Sequence, residues 1–289
     1  MKTLQTVFAC LSVLLVVACS NEELSENATP EFKIVSSITP VTRTPQLNSD
    51  GSGRFEKGDV NTLFFHDKEE LLHTFDYSNG QRYYWSDLNL PATLTHCYLS
   101  ATYPQVSTST PSHFSWDVLK NYPTSDFLVA IPVEININSG SPIRLSFSHV
   151  LHRLSVELTS GEPNVTDDIL QQAEIVVRHF QPVAILDLLA GKAVSASGNL
   201  AELNANGKQT TFIIPAQNVG SAEVVIRLNE RQHVFRLADL QLNGMYLKNL
   251  ESGKTLTLKI KVSKSSFTIV GQTISGWGSQ GEFEDSIII

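Results

Sequence analysis

The chain has 289 residues, 42% of them hydrophobic, which is enough apolar material to bury a substantial core. It carries 21 Lys and Arg against 29 Asp and Glu, a formal net charge of −8, and no basic cluster interleaved with aromatics, so its charge argues against a nucleic-acid partner. Its cysteines are Cys10, Cys19 and Cys97, two of them within the first nineteen residues, which excludes a disulfide framework for the rest. At the start, Lys2 precedes an apolar run from Val7 to Ala18 whose only hydroxyl is Ser12. That run is shorter than the ~20 residues a membrane span needs, and it reads as an export signal over 1–18.

The run ends on the small residue Ala18, then Cys19, and turns at once to Ser20-Asn21-Glu22-Glu23. Val16-Val17-Ala18-Cys19 resembles the bacterial lipobox, in which the thiol is acylated and becomes the new N-terminus. The serine-plus-acid stretch resembles the surface-export signal of lipoproteins in Bacteroidetes-type bacteria. Together they imply a lipidated Cys19, a polar tether over 19–30 and a place on the outside of the outer membrane, held by acyl chains. The alternative is an ordinary secretory signal that contains cysteine, as mid-run Cys10 shows is possible.

From residue 31 the pattern becomes that of strands. EFKIVSSI puts Phe32, Ile34 and Ile38 on one parity and Lys33 and Ser37 on the other, which predicts a half-buried strand. TPVTRTPQLNSDGSGRFEKGD follows, rich in Pro, Gly, Ser, Asn and Asp, and reads as a long exposed loop; a loop of that length in a compact domain calls for a function. Alternation is clearest in KTLTLKIKV, where Leu256, Leu258, Ile260 and Val262 share one face. In PIRLSFSHVLHRLSVEL the apolar parity switches between His149 and Arg153, which predicts a β-bulge. Many further short runs separated by turn residues indicate an all-β protein, with short helices possible at Asp167–Ala173 and near Asp117–Lys120. The polar segment Ser160–Asp168 is the expected boundary between an N-terminal domain over 31–162 and a C-terminal domain over 163–289.

Catalytic and metal motifs are absent, so neither an enzyme nor a cofactor is expected. His149 and His152 form an HxxH pair, but three residues apart in a strand they point to opposite faces, so shared metal ligation is not expected. Trp85, Trp116, Trp277, Tyr83 and Tyr84 can be imagined as a sugar platform, although packing is the commoner fate of such residues in an all-β protein. Ile287-Ile288-Ile289 must either complete their own sheet or offer a strand to a neighbour.

Several motifs agree in order. GRFEKGDVNTLFF, FSHVLHRLSVEL, LDLLAGKAV, FIIPAQNV, LESGKTLTLKIKV and ISGWG resemble segments of the fimbrillin family. The resemblance implies two transthyretin-like β-sandwich domains, export as a lipoprotein and use as a non-catalytic subunit of type V pili on Bacteroidales cells, with other fimbrial subunits as partners. It also implies that a trypsin-like protease cuts after an arginine in the loop beyond the first strand, and that a strand from another subunit fills the groove left behind. Arg43 and Arg54 lie in that loop. Arg43 is the better candidate, because Arg54 abuts Phe55, which the motif places in the folded domain; an arginine merely solvated in a loop is the alternative. Ile287, Ile288 and Ile289 are the candidate donor strand. The second reading is a tip or stand-alone adhesin that binds a glycan or host protein without polymerising.

Overall fold

The computed structural model describes residues 29–39, 55–67, 70–123 and 126–277. Cys19, Arg43, Arg54 and Ile287–Ile289 lie outside the described residues. The fold is all-β. Its largest sheet has six strands in the order Ile34–Thr39, Ile143–His149, Leu128–Asn136, His96–Tyr103, Val60–Asp67, Glu70–Ser78. Ile34–Thr39, called the first strand below, forms one edge and pairs in parallel, whereas the other neighbours in this sheet pair antiparallel. Two four-stranded sheets follow. One runs Gln209–Ile214, His152–Ser160, Lys254–Val262, Phe267–Gly276; the other runs Ala201–Asn206, Glu174–Phe180, Glu223–Leu228, Arg231–Arg236. A three-stranded sheet joins Lys192–Ser197, Val183–Asp187 and Phe114–Asp117.

Alternation sets which side chains go inside. Leu256, Leu258, Ile260 and Val262 are fully buried, as are Leu154 and Val156, with Leu158 nearly so, while the residues between them stay half-exposed or exposed. The buried side chains form two clusters. The smaller covers one face of the six-stranded sheet with Phe32, Leu63, Phe65, Trp85, Leu99 and Phe147 among its members. The larger spans the other sheets and takes in Phe64 and Val129 from the opposite face of the six-stranded sheet. That sheet is therefore covered on both sides.

Two sequence expectations are corrected here. The parity switch at His149–Arg153 is no bulge: Val150 and Leu151, both buried, carry the chain out of one sheet and into another. Consecutive residues in a continuous strand cannot both face one core, so two buried neighbours mark the crossing. As a result His152–Ser160 does not close the first sheet. It pairs antiparallel with Gln209–Ile214 and parallel with Lys254–Val262, so the change of sheet precedes the polar segment Ser160–Asp168. Phe114–Asp117, from the first half, likewise pairs with Val183–Asp187. The helix expected near Asp117–Lys120 is a strand end followed by turns, whereas Asp167–Leu170 is helical, with the Thr166 side chain accepting from the Ile169 N–H at its N-terminus.

The crossing brings three distant motifs together. Gly253 of LESGK donates its N–H to Leu151 O at 2.8 Å, and Trp277 of SGWG donates its N–H to Gly253 O at 3.0 Å. The Trp277 ring stacks on His149 with centroids 4.0 Å apart, and the Arg153 guanidinium carbon lies 5.6 Å from the same Trp277 centroid. Gly253 has φ +67, and a Cβ there would sit 2.9 Å from His149 O, so the turn admits no other residue without strain. His149 Nδ1 pairs with Asp126 at 2.8 Å and His152 Nδ1 donates to Glu251 O at 2.9 Å. His149 and His152 thus stand at the ends of two different strands rather than three apart in one, and each makes a hydrogen bond within the packed crossing.

Candidate functional site

The edge held by the first strand is built from two short pieces. Glu31–Phe32 pairs antiparallel with Tyr83–Tyr84, and after Lys33 the chain pairs parallel with Ile143–His149, in the register Ile34↔Ile143 and Ile38↔Phe147. Backbone bonds tie the join: Ile143 N–H donates to Lys33 O at 2.9 Å and Trp85 N–H donates to Pro30 O at 3.2 Å. The inward parity of Phe32, Ile34 and Ile38 is as the sequence predicts, with Phe32 and Ile38 buried and Ile34 half-buried. Phe32 is the deepest peg. Its ring meets Trp85 edge-on at 4.8 Å, Tyr77 edge-on at 6.1 Å and Phe65 at 6.3 Å.

One inward position is poorly filled. Ser36 shares the parity of Ile34 and Ile38 and pairs with Leu145, yet its Oγ is buried without a hydrogen-bond partner. An unsatisfied buried hydroxyl costs roughly 1–3 kcal/mol. The sequence could have disclosed this, since Ser36 interrupts an otherwise apolar row. On the outer face, the Ser37 and Ser146 hydroxyls meet at 3.2 Å and Val35 is exposed.

Beyond the first strand the groove ends on a built clamp. Phe55 packs edge-on against Phe147 with centroids 4.7 Å apart and lies 5.1 Å from the Tyr103 ring. The turn that follows is held by Asp59, whose carboxylate accepts the Glu56 N–H at 2.7 Å and whose backbone O accepts from Asn79. Gly58 adopts φ +99, which accounts for the glycine of the aromatic-x-x-Gly-Asp motif. Burial, and then the neighbouring Asp59 carboxylate, holds the Tyr103 phenol in its neutral form. Phe55, the residue after Arg54 in sequence, is part of this clamp.

The aromatic platform is not assembled. Trp85 and Trp277 are buried, Trp116 packs 4.8 Å from Phe127, Tyr83 packs on Phe75 and Tyr77, and only Tyr84 is exposed. Burial pushes the Cys97 thiol up to about 11, which makes it unreactive at neutral pH. Among the described residues no cluster of three His, Cys, Asp or Glu is arranged to hold a metal, and no helix is long and apolar enough to cross a membrane.

Comparison with known families settles the lineage. The fimbrillin-like family matches residues 48–277, a span that contains every motif noted above from the Phe55 clamp to Trp277. The chain belongs to the fimbrillin-like family. No curated protein matches it in sequence. Among solved structures, a provisional cell adhesion protein of Bacteroides uniformis aligns with TM-score 0.63 at 15% identity, covering 77% of this chain and 93% of that one. A provisional cell adhesion protein of Bacteroides ovatus aligns with TM-score 0.62 at 16% identity, covering 88% of this chain and all of the other. At such identities the likeness is one of fold.

Proposed function

We propose that this protein is a non-catalytic, surface-exposed fimbrial subunit, exported as a lipoprotein through Cys19 and assembled by β-strand exchange after its first strand is removed at Arg43. The observation that carries the reading is the first strand itself, an edge strand in parallel register whose inward row is interrupted by the unsatisfied Ser36. Removing it would leave one edge of Ile143–His149 unpaired, the other still held by Leu128–Asn136, and uncover Leu145, Phe147 and the ring cage around Phe32. Such a groove is unfavourable in water and receptive to another strand, with ladder bonds giving affinity and alternate side chains giving register. Membership of the fimbrillin-like family and two Bacteroides neighbours described as adhesion proteins agree with a surface role in a fimbrium. The partners on this reading are other fimbrial subunits and, through the lipid, the outer membrane.

The Ile287–Ile289 segment is the proposed donor. Treating the purified protein with an Arg-specific protease is expected to give a product beginning at Thr44 and then multimers that resist mild detergent. Deleting 287–289 should abolish the multimers and leave the cut. A trimmed protein that stays monomeric at high concentration would defeat the strand-exchange mechanism.

The replaceable strand should also be improvable. Ser36→Ala removes the stranded hydroxyl and is expected to stabilise the uncut protein by about 1 kcal/mol in urea unfolding. A loss of stability instead would mean that the hydroxyl is satisfied in solution.

A further inference from the structure

On the face of the six-stranded sheet opposite the first core cluster lies a cleft of about 360 Å³, within the size range of small-molecule sites. Its walls come from the paired strands Val60–Asp67 and Glu70–Ser78 and from the segment 105–108 that crosses them. Thr62 stands opposite Asp76, and Phe64 opposite Thr74, so all four side chains share the cleft face by strand parity. Phe64 is buried and forms the floor; Thr74 and Asp76 are exposed at the rim with Ser107.

The Asp76 carboxylate accepts from two side chains. The single Thr62 hydroxyl proton is shared between Asp76 Oδ1 at 2.9 Å and Val106 O at 3.1 Å, Gln105 Nε2 donates to Asp76 Oδ2 at 2.6 Å, and Thr62 Oγ1 accepts the Val106 N–H at 3.0 Å. Thr62 is 2% exposed, so its part of this support is buried, whereas Gln105 is exposed. Among the described residues no Lys or Arg forms an ion pair with Asp76. Each carboxylate oxygen has accepting capacity left beyond its one side-chain bond. An anion without a cation, ringed by the Thr74, Ser107 and Thr108 hydroxyls, is set to accept from a ligand that brings several hydroxyl donors.

We infer that this cleft binds a sugar, with Asp76 accepting from a pair of adjacent sugar hydroxyls and the threonine and serine hydroxyls bonding those beside them. Calcium is a poor fit, because it takes six to eight oxygens, carboxylates foremost, and Asp76 is the single carboxylate of the lining. The inference deepens the surface role proposed above and rests on it for biological meaning. The cleft lies on the far edge of the sheet from the first strand, so sugar binding by purified uncut protein does not depend on strand exchange. A negative result here therefore leaves the polymerisation test standing, and the converse holds.

The experiment is two-dimensional NMR on ¹⁵N-labelled full chain lacking only the signal segment, titrated with methyl mannoside, methyl galactoside, methyl fucoside and N-acetylglucosamine to tens of millimolar. At least one sugar is expected to shift the Thr74, Asp76, Gln105 and Thr108 amides in a saturable way. Asp76→Asn should weaken that sugar by at least about tenfold, the size expected for a lost charge-assisted hydrogen bond. Thr74→Val, at the exposed rim, should weaken it less and serves as a second variant with the fold unperturbed. Four results would each overturn the proposal: no saturable shift with any sugar, shifts confined to other parts of the molecule, shifts unchanged in Asp76→Asn, or a response to calcium chloride without one to sugars.

Discussion

Phe32→Ala is expected to lower the unfolding free energy by about 3–5 kcal/mol, the range for truncating a fully buried phenylalanine to alanine. Phe32 is 2% exposed, and its ring is enclosed by Trp85, Tyr77 and Phe65. Where that loss falls decides what the first strand is. If the strand opens as a unit of its own, the penalty lands on its detachment alone. The Ile143 amide, which donates to Lys33 O, should then exchange with solvent roughly a hundred to a few thousand times faster, since each ~1.4 kcal/mol is a factor of ten. The Leu158 amide, bonded to Lys208 O at 2.7 Å in a different sheet, should keep its protection. Equal acceleration at both amides would mean that the strand leaves only when the whole molecule unfolds. That outcome would count against a subunit that sheds its first strand while the rest stays folded.

The contrast between Phe32 and Ser36 gives the strand its character. Its two ends are buried, Phe32 in an aromatic socket and Ile38 opposite Phe147, while the middle of the row is a hydroxyl with no partner. A replacement strand that kept an aromatic at the socket and placed an apolar side chain opposite Leu145 would hold more tightly. Exchange in that direction would be downhill, with the difference supplied by desolvating one hydroxyl fewer.

Period-two alternation makes most of these strands readable from the order of amino acids, because a sheet with one buried face forces apolar residues onto one parity. Leu256 to Val262, Ile143 to Phe147 and Phe32 to Ile38 all follow it. Which strand pairs with which is not readable in the same way. Alternation fixes the face of Leu154, Val156 and Leu158 but says nothing about a partner, and the partner Lys254–Val262 lies about a hundred residues downstream. The sugar cleft escapes for a related reason. Thr62, Asp76 and Gln105 converge only through the register of Val60–Asp67 with Glu70–Ser78 and the path of the segment after Tyr103, and none of the three stands in a recognisable motif. Ser36, by contrast, is visible as a gap in an apolar row, and its meaning needs only the absence of a partner.

Acid should weaken the fold through His152. Its Nδ1–H donates to Glu251 O, so Nε2 is the bare nitrogen, and that atom is buried with no partner. Protonating it would place a charge and a new N–H where nothing can accept either. Burial accordingly pulls its pKa down from 6.5 to about 4, against a smaller opposing pull from the Glu251 carbonyl. Above pH 6.5 the ring is neutral in both folded and unfolded chains and contributes no pH dependence. Between 6.5 and about 4 the unfolded chain takes up a proton that the fold refuses, so stability falls as pH falls, by roughly 3 kcal/mol in all. Below about 4 both states are protonated and this contribution to the slope ends. His66 works in the same direction, since burial lowers its pKa and neither of its ring nitrogens has a hydrogen-bond partner. The measurement is urea unfolding at several pH values from 7.5 down to 4 for the natural protein and for His152→Gln, whose amide can still donate to Glu251 O but does not titrate. The variant is expected to start less stable and to lose stability more gently on acidification, the two curves converging by most of that difference. Carboxylates titrate in both proteins and cancel from the comparison, so parallel curves would show that His152 takes up its proton as easily inside the fold as outside it.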